Sequence, residues 1–381
     1  MCIIVSIVPY TFLPAKVGGQ KGIALFNKYL SRHLRLVCVT TTGNVADAAE
    51  GYEVLPILST SPLRYINPFY YYKLKKLLLE KKATHLIIEH PYYAWLAYLL
   101  KKSLKIPLIV HSHNLEGLRW KSLGKWWWPV LWQYEKFIHQ QADISFFIQQ
   151  QDMEYATRKF NLDPSSAMVV TFGIERNTPP TQQERKNAKK QVADLHKLDV
   201  SIPFLFFNGA FEYQPNIDAL SYLLKKINPL LLEKKGFRYQ MIICGRSIPK
   251  SILNQSYPNV VFAGFVDDIE MYFKAADVFV NPILSGGGIK TKLVEALGYN
   301  CNAVSTANGA LGVDPDLCNA KLLIVPDKDW KLFAEKVIEI ALNQQEISDA
   351  FFAHFYWGYI ASRAERFIEQ KTSRGEALHM R

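Results

Sequence analysis

Three glycines, two lysines and a glutamate follow one another in "GGGIKTKLVE": Gly286, Gly287, Gly288, Lys290, Lys292 and Glu295. Glycine lets a ligand approach bare backbone, lysine offsets the charge of a diphosphate, and a carboxylate accepts hydrogen bonds from vicinal hydroxyls. Lys292 and Glu295, three apart, share one face if the stretch is helical. The same residues also fit a solvated helix start with an ordinary Lys–Glu pair. A second group comes from two short runs, "IIEHPYY" with Glu89, His90 and Tyr92, and "HSHNLE" with His111, His113, Asn114 and Glu116. A histidine at the end of an apolar run serves as a polar contact, a core residue or a catalyst, and His111 competes with His113 for any such role. Gly18, Gly19 and Gly22 in "VGGQKG" precede an amphipathic stretch, where they either open a helix N-terminus to an anion or make a plain tight turn.

These residues need elements to position them. Short β-branched or aromatic runs alternate with longer helix-like stretches along the chain. The first half holds "CIIVSIVP", "LVCVTT", "HLIIEH", "PLIVHSH", "DISFFIQ" and "MVVTFG"; the second holds "PFLFFNGA", "QMIICGR", "VVFAGFV", "VFVNPIL", "NAVSTA" and "KLLIVP". Apolar strands separated by helices predict parallel sheets of βαβ units, and two series predict two doubly wound domains. Ligands of such sheets sit beyond the carboxyl ends of the strands, which is where the residues singled out above fall. Between the series lies "IERNTPPTQQERKNAKKQVADLHKLDVSI", polar and opened by a Pro-Pro pair, which reads as a linker over 174–200.

A chain of 381 residues exceeds one ordinary core, and 49% apolar with 21% charged residues is a globular profile. The five cysteines show no metal-ligand spacing and no disulfide framework, which fits a reducing cytoplasm. "MCIIVSIVPYTFLP" lacks a basic start and a cleavage site, so it reads as a first strand and not a signal peptide. No later apolar run approaches the roughly 20 residues that span a bilayer. The net charge of +11 is concentrated in the first half and favours an anionic partner. Five tryptophans, Trp120, Trp126, Trp127, Trp128 and Trp132, are interleaved with Arg119, Lys121 and Lys125. That mixture suits a peripheral membrane contact, and equally the packing of a helix or the lining of a cleft. No nucleic-acid motif accompanies it, and no nucleic-acid partner is expected.

The stretch "GGGIKTKLVEALGYNCNAVSTANGALGV" resembles the donor-site segment of family 4 glycosyltransferases of the GT-B fold. The subgroup is the one whose motif reads Gly-Thr-(Arg/Lys)-x-Lys-x-x-Glu-Ala. "GGQKG", "HSHNLE", "FNGAFEYQPNIDAL" and "VFAGFVDDIEMYFKAADVFVNP" agree in order, and "HFYWGYIASRAERFIEQ" is similar to the final helix that returns to the first domain. The resemblance implies an α/β GT-B fold of two Rossmann-like domains with an interdomain cleft. Its expected parts are an acceptor-binding domain over 1–173, the linker over 174–200, a nucleotide-sugar-binding domain over 201–350 and a returning helix over 351–381.

It further implies retaining, metal-independent transfer of a sugar, a hexose by expectation, from a nucleotide diphosphate sugar to a glycan or lipid-linked acceptor in cell-surface polysaccharide assembly. No cofactor and no metal is expected, and no DxD segment stands at a donor-site position. Lys290 and Lys292 match the basic pair near the diphosphate, Glu295 the glutamate on the ribose, and Gly287 and Gly288 the backbone near phosphates and sugar. Gly18 and Gly19 fall on the donor side too, Val266 where family members touch the base, and His113 at the histidine near the reacting sugar. Glu89, His90, Tyr92, Asn114 and Glu116 fall on the acceptor side. The expected place is the cytoplasm, at the inner face of the membrane if the tryptophans meet it. Two departures stand out: Gly287 occupies the position of a second glutamate, and "FNGAFEY" lacks a basic residue that many members carry. They motivate the competing reading of a GT-B-like sugar-nucleotide-binding protein without turnover; an epimerase of the same architecture is a third.

Overall fold

A computed structural model describes residues 2–16 and 18–379, the side chains of 373–379 excepted. It divides the chain into two units, Met1–Gly173 with Trp357–Arg381, and Ile174–Tyr356. Each is built on a parallel sheet.

In unit 1 the strands are β1 (Ile3–Ile7), β2 (Arg35–Thr41), β3 (Glu53–Leu58), β4 (His85–Glu89), β5 (Leu108–Ser112), β6 (Ile144–Phe147) and β7 (Ala167–Val169), in the order β3-β2-β1-β4-β5-β6-β7. β3 is the strand that sequence runs miss. It carries Pro56, which cannot donate to a ladder and is tolerated because β3 lies at the sheet edge. In unit 2 they are β8 (Phe204–Asn208), β9 (Gln240–Cys244), β10 (Val260–Gly264), β11 (Val278–Asn281), β12 (Asn302–Thr306) and β13 (Leu322–Val325), in the order β10-β9-β8-β11-β12-β13. In both sheets the chain winds outward on one side and then restarts on the other, so that β1 meets β4 and β8 meets β11 at a topological switch point. The crevice at the carboxyl ends of such neighbours is the place where doubly wound sheets bind ligands.

The stretch expected as a linker is instead part of unit 2. Gln182–His196 forms a helix started by a capping box between Thr181 and Glu184. Its narrow apolar face, Ala188, Val192 and Ala193, is buried in one core of that unit with Phe204, Tyr272 and Phe273. Arg185 fastens it further by donating to the carbonyls of Lys274, Ala276 and Asn300. At the other end of the chain, Asp349–Phe355 stays with unit 2, and the helix Trp357–His379 packs in unit 1 against the helix Gly18–Leu30. Trp357 is buried there, 5.7 Å from the ring of Phe172. Residues 380 and 381 of the expected final helix lie outside the described residues.

Candidate functional site

At the carboxyl end of the unit 2 switch point, the loop from Pro282 to Lys290 runs into the helix Thr291–Gly298. Leu293, Val294, Ala296 and Leu297 bury one face of this helix, and that fixes where its N-terminus points. Gly286 and Gly288 have φ of +95° and +77°, a region that side chains rarely adopt, and a Cβ on Gly286 would stand 2.8 Å from the Tyr213 hydroxyl. Lys290 Nζ donates to the carbonyls of Gly286 at 2.6 Å and Gly288 at 3.0 Å. Lys292 Nζ donates to the carbonyl of Asn208, the last residue of β8, at 2.9 Å. Burial lowers both ammonium groups to about 8, with Glu295 partly opposing the shift at Lys292. The glycines, both lysines and Glu295 thus converge at one helix start beside β8. Val266 lies just beyond the edge strand β10 and, like Ile289 of the glycine loop, packs against the same apolar core.

Sequence reasoning missed the layer beneath this loop. Asn281, at the end of β11, donates to Ser305 Oγ at 3.0 Å and to the Gly309 carbonyl at 2.8 Å, and Thr306 donates to the Ile283 carbonyl at 2.5 Å. These bonds tie the "STANG" turn to the strand that carries the glycine loop. Arg246 was missed as well. It follows β9 and pairs with Glu212, in the loop after β8, at 3.2 Å, so the neighbouring strand brings a cation to the loop that has none of its own. Its position directly after a strand run was the available signal.

In unit 1 the expected residues form one network at the carboxyl ends of β4 and β5. Glu89 and His111 are register partners across these strands. The Glu89 carboxylate takes His113 Nε2 at 2.6 Å, and His111 Nδ1 lies 2.9 Å from the same oxygen. His90, at φ +65°, stacks on His113 at 4.6 Å and places its Nδ1 3.4 Å from Glu116. Glu116 also accepts from Tyr92 Oη at 2.6 Å and Arg119 Nη1 at 2.9 Å, while Tyr10 Oη sits 3.0 Å from His90 Nε2. Burial alone would raise both carboxyls. At Glu89 the two imidazoles outweigh it and hold the group well below the carboxylate range; at Glu116, His90, Tyr92 and Arg119 lower it to about 2. Burial lowers His90 and His111. The two competing histidines differ in exposure: the His113 side chain is 9% exposed and that of His111 is 2%, edge-on to Phe26 and Phe146. Asn114 follows at the turn into the helix Glu116–Ser122.

Glu89, His111 and His113 are also a donor set whose atoms lie within 4.8 Å of one another. Zinc bonds of about 2.0–2.2 Å would hold tetrahedral donors about 3.3 Å apart. The observed 2.6 and 2.9 Å are hydrogen-bond separations.

Behind Glu116, the wholly buried Glu135 accepts the backbone N–H groups of Glu116 and Gly117, each at 3.0 Å. The helix carrying it, Trp128–Gln141, comes so close that a Cβ on Gly117 would meet Trp132 Cβ at 2.6 Å. Burial pushes the Glu135 carboxyl up to about 8 against these two N–H donors. Gly18 and Gly19 lie inside the first turn of the helix Gly18–Leu30 and not in a turn before it. A Cβ on Gly19 would meet nothing within 4 Å, whereas Gly22 faces Phe172.

Residues 18–177 match the family described as Glycosyltransferase Family 4, and residues 202–343 that described as Glycosyl transferases group 1. An uncharacterized 44.6 kDa protein in the cps region of Klebsiella pneumoniae is 24% identical over 171 residues, which span 42% of this chain and 42% of that protein. Among solved structures, sucrose-phosphate synthase from Thermosynechococcus elongatus superposes with a TM-score of 0.70 at 17% identity, covering 98% of this chain and 100% of that one. Anabaena HepE, in complex with UDP, superposes with a TM-score of 0.67 at 13% identity, covering 97% and 100%. At such identities the structures establish the fold, which is GT-B, while the two family matches give each unit its glycosyltransferase sequence.

Proposed function

We propose that this GT-B glycosyltransferase moves a sugar from a nucleoside diphosphate sugar to a hydroxyl of a glycan or lipid-linked acceptor, with retention at the anomeric carbon and no metal at the diphosphate, in cell-surface polysaccharide assembly. The observation that carries this reading is the pair Lys290 and Lys292. Two partly desolvated ammonium groups at a left-handed glycine loop, at the head of a helix, form a place for a diphosphate. UDP in the Anabaena neighbour supports the nucleotide side of the reading.

In the reaction, the bond between the anomeric carbon and the diphosphate oxygen breaks and a bond to the acceptor oxygen forms, the acceptor's proton leaving with the diphosphate. Negative charge grows on the departing phosphate, and Lys290 and Lys292 stabilise it with the N–H groups at the head of the helix Thr291–Gly298. Glu295 holds the ribose hydroxyls. His113, oriented by Glu89, contacts the reacting sugar, and Glu116 with Tyr92 lines the acceptor side.

Sugar release from UDP- and GDP-sugars tests this, assayed with and without EDTA, with NMR of the product anomer when an acceptor is found. Release by one donor class that EDTA leaves unchanged is expected. Binding of every nucleotide sugar without release or transfer would replace the enzyme by a binding protein.

A further inference from the structure

Of the five tryptophans, only Trp126 stands clear of the fold, at 86% exposure. Trp120 and Trp127 lie ring to ring at 4.9 Å, and Trp132 packs edge-on to Phe160 at 5.2 Å. The exposed apolar surface is completed by a segment distant in sequence: Leu63, Ile66, Phe69 and Tyr72, with Phe69 at 76% exposure. Both segments sit at the carboxyl edge of the unit 1 sheet, because the 3-10 turn Pro62–Ile66 follows β3 and the helix Glu116–Ser122 follows β5. Tyr92 lies between them. Its ring is 5.6 Å from Tyr65 on one side, and its hydroxyl donates to Glu116 on the other.

Charge says what this face meets. Residues 61–141 contain 13 Lys and Arg against four acids, Glu80, Glu89, Glu116 and Glu135. Three of those acids are buried, which leaves Glu80 as the acid that this stretch shows to solvent. Lys81 and Lys101 belong to the opposite, amino edge, paired with Glu53 at the start of β3 and with Asp143 before β6, whereas Arg119 at the carboxyl edge pairs with the buried Glu116. At the carboxyl edge itself Lys121 stands over the ring of Trp128, and Lys73 and Lys125 are exposed. A surface of cations and aromatic rings with its acids turned inward matches an anionic bilayer, where rings seat at the headgroup level and lysines meet lipid phosphates.

We propose that this edge of unit 1, led by Phe69, Tyr72 and Trp126, docks on an anionic lipid bilayer and so brings the Glu89/His113 network to a membrane-borne acceptor. The choice of acceptor rests on the proposed transfer; the docking does not.

Vesicle co-sedimentation of the full chain tests it, with phosphatidylcholine alone and with phosphatidylcholine containing phosphatidylglycerol. The wild type is expected to sediment with the anionic vesicles only, and less so as salt rises. Phe69→Ser with Trp126→Ser, and separately Lys73→Glu with Lys125→Glu, are expected to weaken this at least tenfold. All four residues are exposed, and an unchanged melting temperature shows that the fold is kept. Wild-type protein that stays in the supernatant, variants that sediment like the wild type, or tighter binding to an RNA oligomer than to the vesicles would each overturn the proposal. Donor hydrolysis by the same samples is read separately, so its failure would sink the transfer reading and leave the vesicle result standing.

Discussion

The two switch points carry opposite electrostatics. In unit 1 the buried carboxylates Glu89 and Glu116 already have cationic or hydrogen-bonding partners and are driven toward the ionised form, while Glu135 behind them is pushed up to about 8. In unit 2 two ammonium groups are half-withdrawn from water and donate to main-chain carbonyls, which carry only partial charge, so their protons are loosely held. The first is a network whose carboxylates are already partnered, although among the described residues Glu89 Oε1 and His111 Nε2 are buried without a hydrogen-bond partner. The second gains most from an arriving anion, which would replace carbonyl oxygens by phosphate oxygens and restore the lysines' basicity.

Removing the cations should break this contrast most sharply. Lys290→Ala with Lys292→Ala is expected to lower turnover about 10²–10³-fold, the scale for losing preorganised stabilisation of a developing negative charge, and to weaken nucleotide binding measured by calorimetry. On the unit 1 side, His113→Ala should lower turnover by roughly 10–100-fold with donor affinity nearly unchanged. A matching loss of affinity would place His113 in donor binding alone.

The contrast also predicts a pH profile. Both lysines are charged below about 8 in the free protein, so nucleotide affinity should be flat up to that pH and then fall about tenfold per unit for each lysine that must regain its proton. A profile flat to pH 10 would contradict the role of these lysines. The smallest effect is expected at Glu135. Gln offers one acceptor oxygen where two backbone N–H groups need them, so Glu135→Gln should cost about 1–3 kcal/mol, read from denaturant unfolding, and loosen the start of the Glu116 helix.

How much of this could be read in advance follows the same division. The unit 2 site is local: its glycines, lysines and glutamate fall within ten residues, so their coming together at one helix start is legible in the sequence, while the diphosphate and ribose roles rest on the family resemblance. The unit 1 network is not local. Glu89 and His111 become partners only through the β4–β5 register, and nothing in two separate runs states that pairing. The segment 182–196 looked like a linker because Lys and Glu cover most of a helix whose buried face is just Ala188, Val192 and Ala193. The tryptophans stayed open between membrane contact and packing for a related reason, since composition cannot separate Trp126 from neighbours that pack inward, and Phe69 is exposed in a segment distant in sequence.

The most direct test of the central claim is a thermal-shift titration with UDP, GDP and their sugars, run on the wild type and on the Lys290→Ala/Lys292→Ala variant. The account predicts stabilisation of the wild type by one nucleotide class and none of the variant. Equal stabilisation of both proteins, or none of the wild type by any nucleotide, would contradict it.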